Sequence, residues 1–135
     1  MPEKATIARA RRAKRQGKAP STQAGAFVRE EIHHVREGRH GARSAKQAIA
    51  IGLAKARRSG VKLPPPKHAK ASTRRNARAA SSAAKRRKRP STRRARATTG
   101  ALKGESRTTV SRNALSRQAK TAARRRQRRG RSTAA

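Results

Sequence analysis

An excess of fixed positive charge limits what this chain can become: lysine and arginine supply 40 of its 135 residues and acidic residues only 5, a formal net charge of +35. Such a chain repels itself when compact unless a polyanion neutralises it, so its partner is expected to be acidic. The same excess leaves little material for a core. The large apolar residues are Met1, Ile7, Phe27, Val28, Ile32, Val35, Ile49, Ile51, Leu53, Val61, Leu63, Leu102, Val110 and Leu115, and 9 of these 14 lie between positions 27 and 63. Most of the 32% counted as hydrophobic is alanine, which favours helix but buries little surface. The expectation is a marginal central fold, helped by self-association or by the partner, with arms that are disordered when free.

Several classes are set aside. There is no cysteine, so disulfides and thiolate chemistry are excluded. No apolar run approaches the ~20 residues of a membrane span, and Met1 to Gln16 lacks the apolar stretch of a secretory signal. An Arg-rich, acid-poor start imitates a mitochondrial transit peptide, but the same composition continues to the C-terminus.

Charge counted by segment divides the chain in three: residues 1–20 carry +6, residues 21–66 carry +6 and residues 67–135 carry +23. The expected organisation is a basic N-terminal helical arm over 1–20, an amphipathic helical hairpin over 21–63, and a Pro spacer with an Arg/Lys/Ala-rich tail over 64–135. The first arm reads as a helix from Pro2 to Gln16, with Glu3 at its positive end and Gly17 as its stop. Its surface is nearly all cation and alanine, so phosphates rather than packing are expected to hold it.

The middle carries the clearest periodicity. After Pro20, Ser21 or Thr22 can cap a helix whose Ala24, Phe27, Val28, Ile32 and Val35 recur at three-four spacing, and Gly38 ends it. Ser44 and Gln47 form a Ser-x-x-Gln capping box before Ala45, Ala48, Ile49, Gly52, Leu53 and Ala56, which recur at helical spacing until Gly60. With only Gly38 to Arg43 between them, the two helices should fold back as a hairpin whose core is Phe27, Val28, Ile32, Val35, Ile49 and Leu53, with Ala56 alongside and Gly52 allowing close approach. Ile51 points roughly 200° away from Ile49, free for another chain or for Val61 and Leu63. Val61 to Pro66, closed by three prolines, reads as a stiff extended spacer.

From Lys67 onward the chain is low-complexity Lys/Arg/Ala/Ser/Thr. Ser72 to Arg89 and about Thr109 to Arg129, the latter with Leu115, Ala119 and Ala122 on one side, could become helical on a polyanion, because repulsion between like charges such as Arg125 and Arg129 would then be removed. The fold class expected is mainly α: a short helical hairpin flanked by basic, largely disordered or conditionally helical arms.

The string from Lys46 to Ala56, Lys-Gln-Ala-Ile-Ala-Ile-Gly-Leu-Ala-Lys-Ala, preceded by Phe27-Val28-Arg29-Glu30-Glu31, resembles a bacterial family of small basic proteins described only as a domain of unknown function. The resemblance covers roughly residues 18–66. It implies an alanine- and lysine-rich protein of the kind often presumed to bind DNA, without supplying a mechanism. The tail is similar in composition to linker-histone tails, although here Arg outnumbers Lys.

Cation clusters are the dominant chemistry: Arg9, Arg11, Arg12, Lys14 and Arg15; Lys85, Arg86, Arg87, Lys88 and Arg89; Arg93, Arg94 and Arg96; and Arg124, Arg125, Arg126, Arg128 and Arg129. Solvated surfaces rarely reach this density, so phosphate binding is expected. Proteins that hold single strands usually stack bases on aromatic rings, and this chain has one Phe and neither Tyr nor Trp. With Phe27 assigned to the hairpin core, duplex DNA or structured RNA contacted from outside is favoured, with arginine insertion into a minor groove as a further contact. A DNA-reading helix-turn-helix is disfavoured by the six-residue connection and the missing third helix.

Other chemistry has less support. Glu30, His33 and His34 share one helix at three- and four-residue offsets, but carboxylate metal sites draw ligands from several helices. The plainer expectation is that His33 and His34 complement a helix C-terminus, with His40 and His68 in loops, and that no metal or cofactor is bound. No nucleophile-base-orienter set and no glycine-rich phosphate loop beside a strand is present, so the chain is not expected to be an enzyme. Ser81, Ser91, Thr92 and Thr98 lie among arginines, where phosphorylation would subtract charge. The partner expected is double-stranded DNA, with ribosomal RNA as the alternative, no membrane, and self-association through the hairpin. The location expected is the cytoplasm and nucleoid, or the nucleus of a eukaryotic source, where Lys85 to Pro90 would serve as an import signal.

Overall fold

All the regular secondary structure among the described residues is helical. A computed structural model describes residues 2–86 and 91–134. Among them are α1 (Lys4–Arg15), α2 (Pro20–Arg36), α3 (Ala45–Arg58), α4 (Ala71–Arg86), α5 (Thr92–Lys103) and α6 (Arg112–Ala134), with a short 3₁₀ turn over Thr108–Val110.

The expected hairpin is α2 against α3. The same device ends its helices and α1: Gly17, Gly38 and Gly60 take positive φ of 72°, 79° and 100°, the backbone that L side chains avoid. At Gly38 its N–H bonds Val35 O at 3.1 Å and the next N–H, from Arg39, reaches back to His34 O at 2.9 Å, a Schellman close. The reversal carries His40 back over α2. At the start of α3, Ser44 Oγ accepts from the Gln47 N–H at 3.1 Å, while Gln47 Oε1 accepts from the Arg43 N–H at 2.6 Å, one residue earlier than in an ideal capping box. Neither Ser21 nor Thr22 caps α2. Pro20 itself occupies the first turn after Ala19, because its fixed φ suits that position and it has no N–H to leave unpaired.

The contact stripe on α3 is smaller than expected. Ala45, Ala48, Gly52 and Ala56 are its buried face toward the core, with Ile49 and Leu53 only half-buried on the flank. Small side chains bring the helices close: a Cβ built on Gly52 would stand 2.6 Å from Val28 Cα. Phe27 and Val35 are fully buried, as expected, and they anchor separate clusters. Phe27 packs with Ala10, Ala24, Ala56 and Val61, flanked by Ile7, Leu53 and Leu63. Val35 packs with Ala42, Ala48 and Val110, flanked by Ile32 and Leu115.

Three partners that the sequence assigned to arms or spacer therefore complete the core. α1 does have a core-facing stripe, narrow because it consists of Thr6, Ile7 and Ala10, which meet α2 without large side chains. The segment 61–66, expected as a stiff extended spacer, has no regular secondary structure, closes a tight turn from the Leu63 N–H to Val61 O at 2.9 Å, and is packed on the fold. Arg57, 7% exposed, donates from Nε to Leu63 O and from NH2 to Pro64 O, both at 3.1 Å, and burial pushes its pKa below the ordinary arginine value. Residues 102–110 dock on the α2–α3 connection: Gly41 N–H donates to Leu102 O at 2.7 Å, Ala42 N–H to Ser106 O at 2.8 Å, and Thr109 Oγ1 to Ala42 O at 2.7 Å. This seats Val110 in the second cluster.

The arms are helical over α4, α5 and α6. α4 lays Ala77 and Ala80 against α3, and with Ile51, Leu53, Leu63 and Pro64 they line an apolar groove. Ile51, left free for another chain or for Val61 and Leu63, thus shares this groove with Leu63 and the alanines of α4. Arginines on the solvent side of α4 keep the helix wetted opposite these alanines.

Candidate nucleic-acid interface and a buried carboxylate-imidazole cluster

On α1, α3 and α4 the buried positions are mostly alanine, joined by Thr6 and Gly52, and among the described residues the long cationic side chains other than Arg57 are not buried. On α1 the inward positions are Thr6 and Ala10, which leaves Arg9, Arg11, Arg12, Lys14 and Arg15 exposed on the outer face. Lys4, Arg11 and Arg15 lie along one edge of a shallow groove with Ile7 and Ala8. Lys4 was not among the expected contacts, although its offset of about two turns from Arg11 and three from Arg15 could have placed it there.

Lys85 and Arg86 are exposed at the end of α4, and Arg93, Arg94 and Arg96 are exposed on α5. Arg87, Lys88 and Arg89 lie outside the described residues. Arg124, Arg125, Arg126, Arg128 and Arg129 are exposed on the second half of α6, beyond the part that Leu115 anchors. These clusters lie on different helices. Among the described residues α1 packs only on α2, α4 only on α3, and α5 on no other helix. Among the described residues, the helices that carry the cations thus do not pack on one another. The five glutamates, two of them buried in the fold, are too few to neutralise them.

Phe27, the one aromatic residue apart from the histidines, is 1% exposed and offers no stacking face. Among the described residues no helix is long and apolar enough to cross a membrane.

A second constellation lies inside the fold. Glu30 and Glu31, adjacent on α2, are 6% and 0% exposed. Glu30 turns toward α1, where its Oε1 accepts from the Glu3 N–H at 2.7 Å, while Glu31 turns toward α3, where Lys55 Nζ bonds its Oε1. His34, one turn along α2, stands between them: its Nε2 is 3.4 Å from Glu3 Oε1 and 3.9 Å from Glu30 Oε1, and its Nδ1 is 3.8 Å from Glu31 Oε1. His40, returned over α2 by the turn at Gly38, places Nε2 3.2 Å from Glu31 Oε2, edge-on to His34 with ring centroids 6.1 Å apart.

The outer rim of the cluster is wet. Glu3 is half exposed, and the His34 ring, then Arg39 with NH1 at 3.2 Å, hold its carboxyl below the usual carboxylate range against the opposing effect of desolvation. The inner part is not: Glu30 Oε2 and Glu31 Oε2 are buried without a hydrogen-bond partner. Of the histidines considered at the end of α2, His33 is exposed and only His34 faces the carboxylates. Sequence periodicity could place Glu30, Glu31 and His34 on one helix, but His40, Glu3 and Lys55 arrive from three other segments.

Residues 21–68 match a family model described as a family of unknown function, DUF6496. The matched segment spans α2, α3 and the irregular stretch after Gly60. No curated protein and no solved structure matches the chain.

Proposed function

We propose that the protein binds double-stranded DNA without sequence specificity, through the phosphate backbone, and compacts it. The observation that carries this reading is the display of exposed cationic clusters on separate helices, α1, α5 and the second half of α6, in a chain with only five acidic residues to neutralise them. Each cluster can lie along phosphates and release condensed counterions. Clusters carried on different helices can engage different duplex segments, which turns binding into bridging.

The chemistry favours the outside of a duplex over unpaired bases. Phe27 is fully enclosed and there is no other ring for a base to stack on apart from histidine. Arginine makes up most of the basic charge on α5 and α6, and its planar fork suits phosphate oxygens and narrow minor grooves. In a bacterial cell this places the protein at the nucleoid, in a role similar to that of a linker histone. Ser91, Thr92 and Thr98, exposed beside the α5 arginines, are positions where phosphorylation would weaken the contact.

The experiment is recovery of the protein from its native cells under mild salt, with DNase or RNase treatment before sedimentation. Retention with DNA after RNase supports the proposal. Co-sedimentation with ribosomal particles that survives DNase and is lost with RNase contradicts it in favour of an RNA partner.

A further inference from the structure

We propose that Glu31, His34 and His40 form a binding site for one divalent transition-metal ion of the zinc type. The three side chains present one carboxylate and two imidazoles whose donor atoms all lie within 4.8 Å of one another. They come from two different segments, α2 and the loop that the Gly38 turn folds back over it. Two ligand atoms bound tetrahedrally at about 2.0–2.2 Å from one ion stand about 3.4 Å apart. The separation of His40 Nε2 from Glu31 Oε2, 3.2 Å, is close to that value, and His34 Nδ1 stands 3.8 Å from the other oxygen of the same carboxylate.

An orphaned atom points to the ligand independently of the clustering. Glu31 is completely buried and Lys55 already serves its Oε1, yet Oε2 has no hydrogen-bond partner. A buried carboxylate oxygen left in this way is costly. The atom facing it is His40 Nε2, and the other nitrogen of that ring, Nδ1, is 2.8 Å from Gly41 O. A carbonyl only accepts, so Nδ1 carries a proton, and the place between Nε2 and Glu31 Oε2 takes either a second proton or a metal ion that displaces it.

The surroundings supply what a metal-bound imidazole needs. Ligating histidines usually donate their other ring N–H to a carbonyl or a carboxylate, which fixes the tautomer and strengthens the ligand. His40 has Gly41 O for this purpose, and His34 has Glu3 Oε1 at 3.4 Å from its Nε2. Arg39 NH1 also reaches that Nε2, at 3.1 Å, but its side chain is more than half exposed and is equally placed to keep only its contact with Glu3. Mixed imidazole and carboxylate donors suit zinc and its neighbours in the first transition row rather than magnesium or calcium, which take oxygen shells. Three protein ligands leave one position for water. A bound ion would pin the loop at His40 and Gly41, the place where residues 102–110 dock.

The test uses the full chain in high salt without nucleic acid, titrated with zinc against a chromogenic chelator and with cobalt as a visible-spectrum probe. One equivalent should bind, with a tetrahedral cobalt spectrum and displacement of the His34 and His40 ring resonances. His40→Gln, which leaves the Glu31–Lys55 pair intact, should weaken binding about tenfold or more, and Glu31→Gln should do so as well. His33→Gln and His68→Gln should bind as the parent does. Absence of binding up to millimolar zinc overturns the site, as does equal loss in His33→Gln and His40→Gln. Zinc that leaves the His40 ring resonances unmoved also overturns it, and then a proton fills the gap beside Glu31.

Discussion

Glu30 Oε1 accepts a hydrogen bond from the backbone N–H of Glu3 at 2.7 Å, joining residues 27 positions apart. The bond meets an N–H that no helix turn can serve, and it puts a buried negative charge at the positive end of α1. Glu30→Leu should therefore destabilise the chain by about 1–2 kcal/mol, the loss of a charged hydrogen bond partly offset by relief of desolvation. Urea unfolding measures the loss, and amide exchange should show it concentrated in α1. Glu30→Gln, which keeps an acceptor, should lose less.

Two glycines in the hairpin should respond in opposite directions. Gly52 is pressed against Val28, so Gly52→Ala should cost about 1–3 kcal/mol by forcing α2 and α3 apart. Gly25, in the interior of α2 with open space beside it, should become a stabilising alanine by about 0.5–1 kcal/mol. Thermal unfolding of both variants checks the pair.

Docking of residues 102–110 depends on Gly41, where an added Cβ would collide with the Glu105 carbonyl. Gly41→Ala should release the segment, losing the Leu102 and Ser106 hydrogen bonds and the burial of Val110, which is worth about 1.5 kcal/mol or more. Trypsin should then cut faster after Arg107, read by mass spectrometry over a time course.

Acid should loosen the contact between the Glu3 carboxylate and its partners. Its folded pKa lies below the ordinary value, so its contribution is complete above the ordinary carboxylate range and disappears as pH falls through the depressed folded pKa. The stability difference between the parent chain and Glu3→Gln should shrink to nothing across that window. An unfolding series in acid, at fixed salt, measures it.

Much of the hairpin was legible because helix signals are local. Gly17, Gly38 and Gly60 stop helices where the sequence indicates, Ser44 caps α3, and Phe27 and Val35 are in the core. Alanine was the main obstacle. Ala10, Ala77 and Ala80 are buried, yet in a sequence this rich in alanine nothing distinguishes a packed alanine from a solvated one. Val110 was similarly hidden as a lone valine in a cationic stretch, since its burial depends on a long-range match to Val35, Ala42 and Ala48.

The site was legible to unequal degrees. Exposed cations follow directly from composition, because arginines this numerous have nowhere else to go. The cluster around Glu31 was only half visible: helical offsets group Glu30, Glu31 and His34, whereas His40 and Lys55 reach the carboxylate through the Gly38 turn and the pairing of α2 with α3. Neither of those contacts is a property of local sequence.

The most direct measurement is the affinity for two unrelated duplex DNAs as a function of salt concentration. If about 10 cations engage phosphates, log affinity should fall against log salt with a slope of roughly −9, alike for both sequences. An affinity that persists in molar salt, or a chain that binds neither duplex in dilute buffer, would contradict phosphate binding as the source of the protein's function.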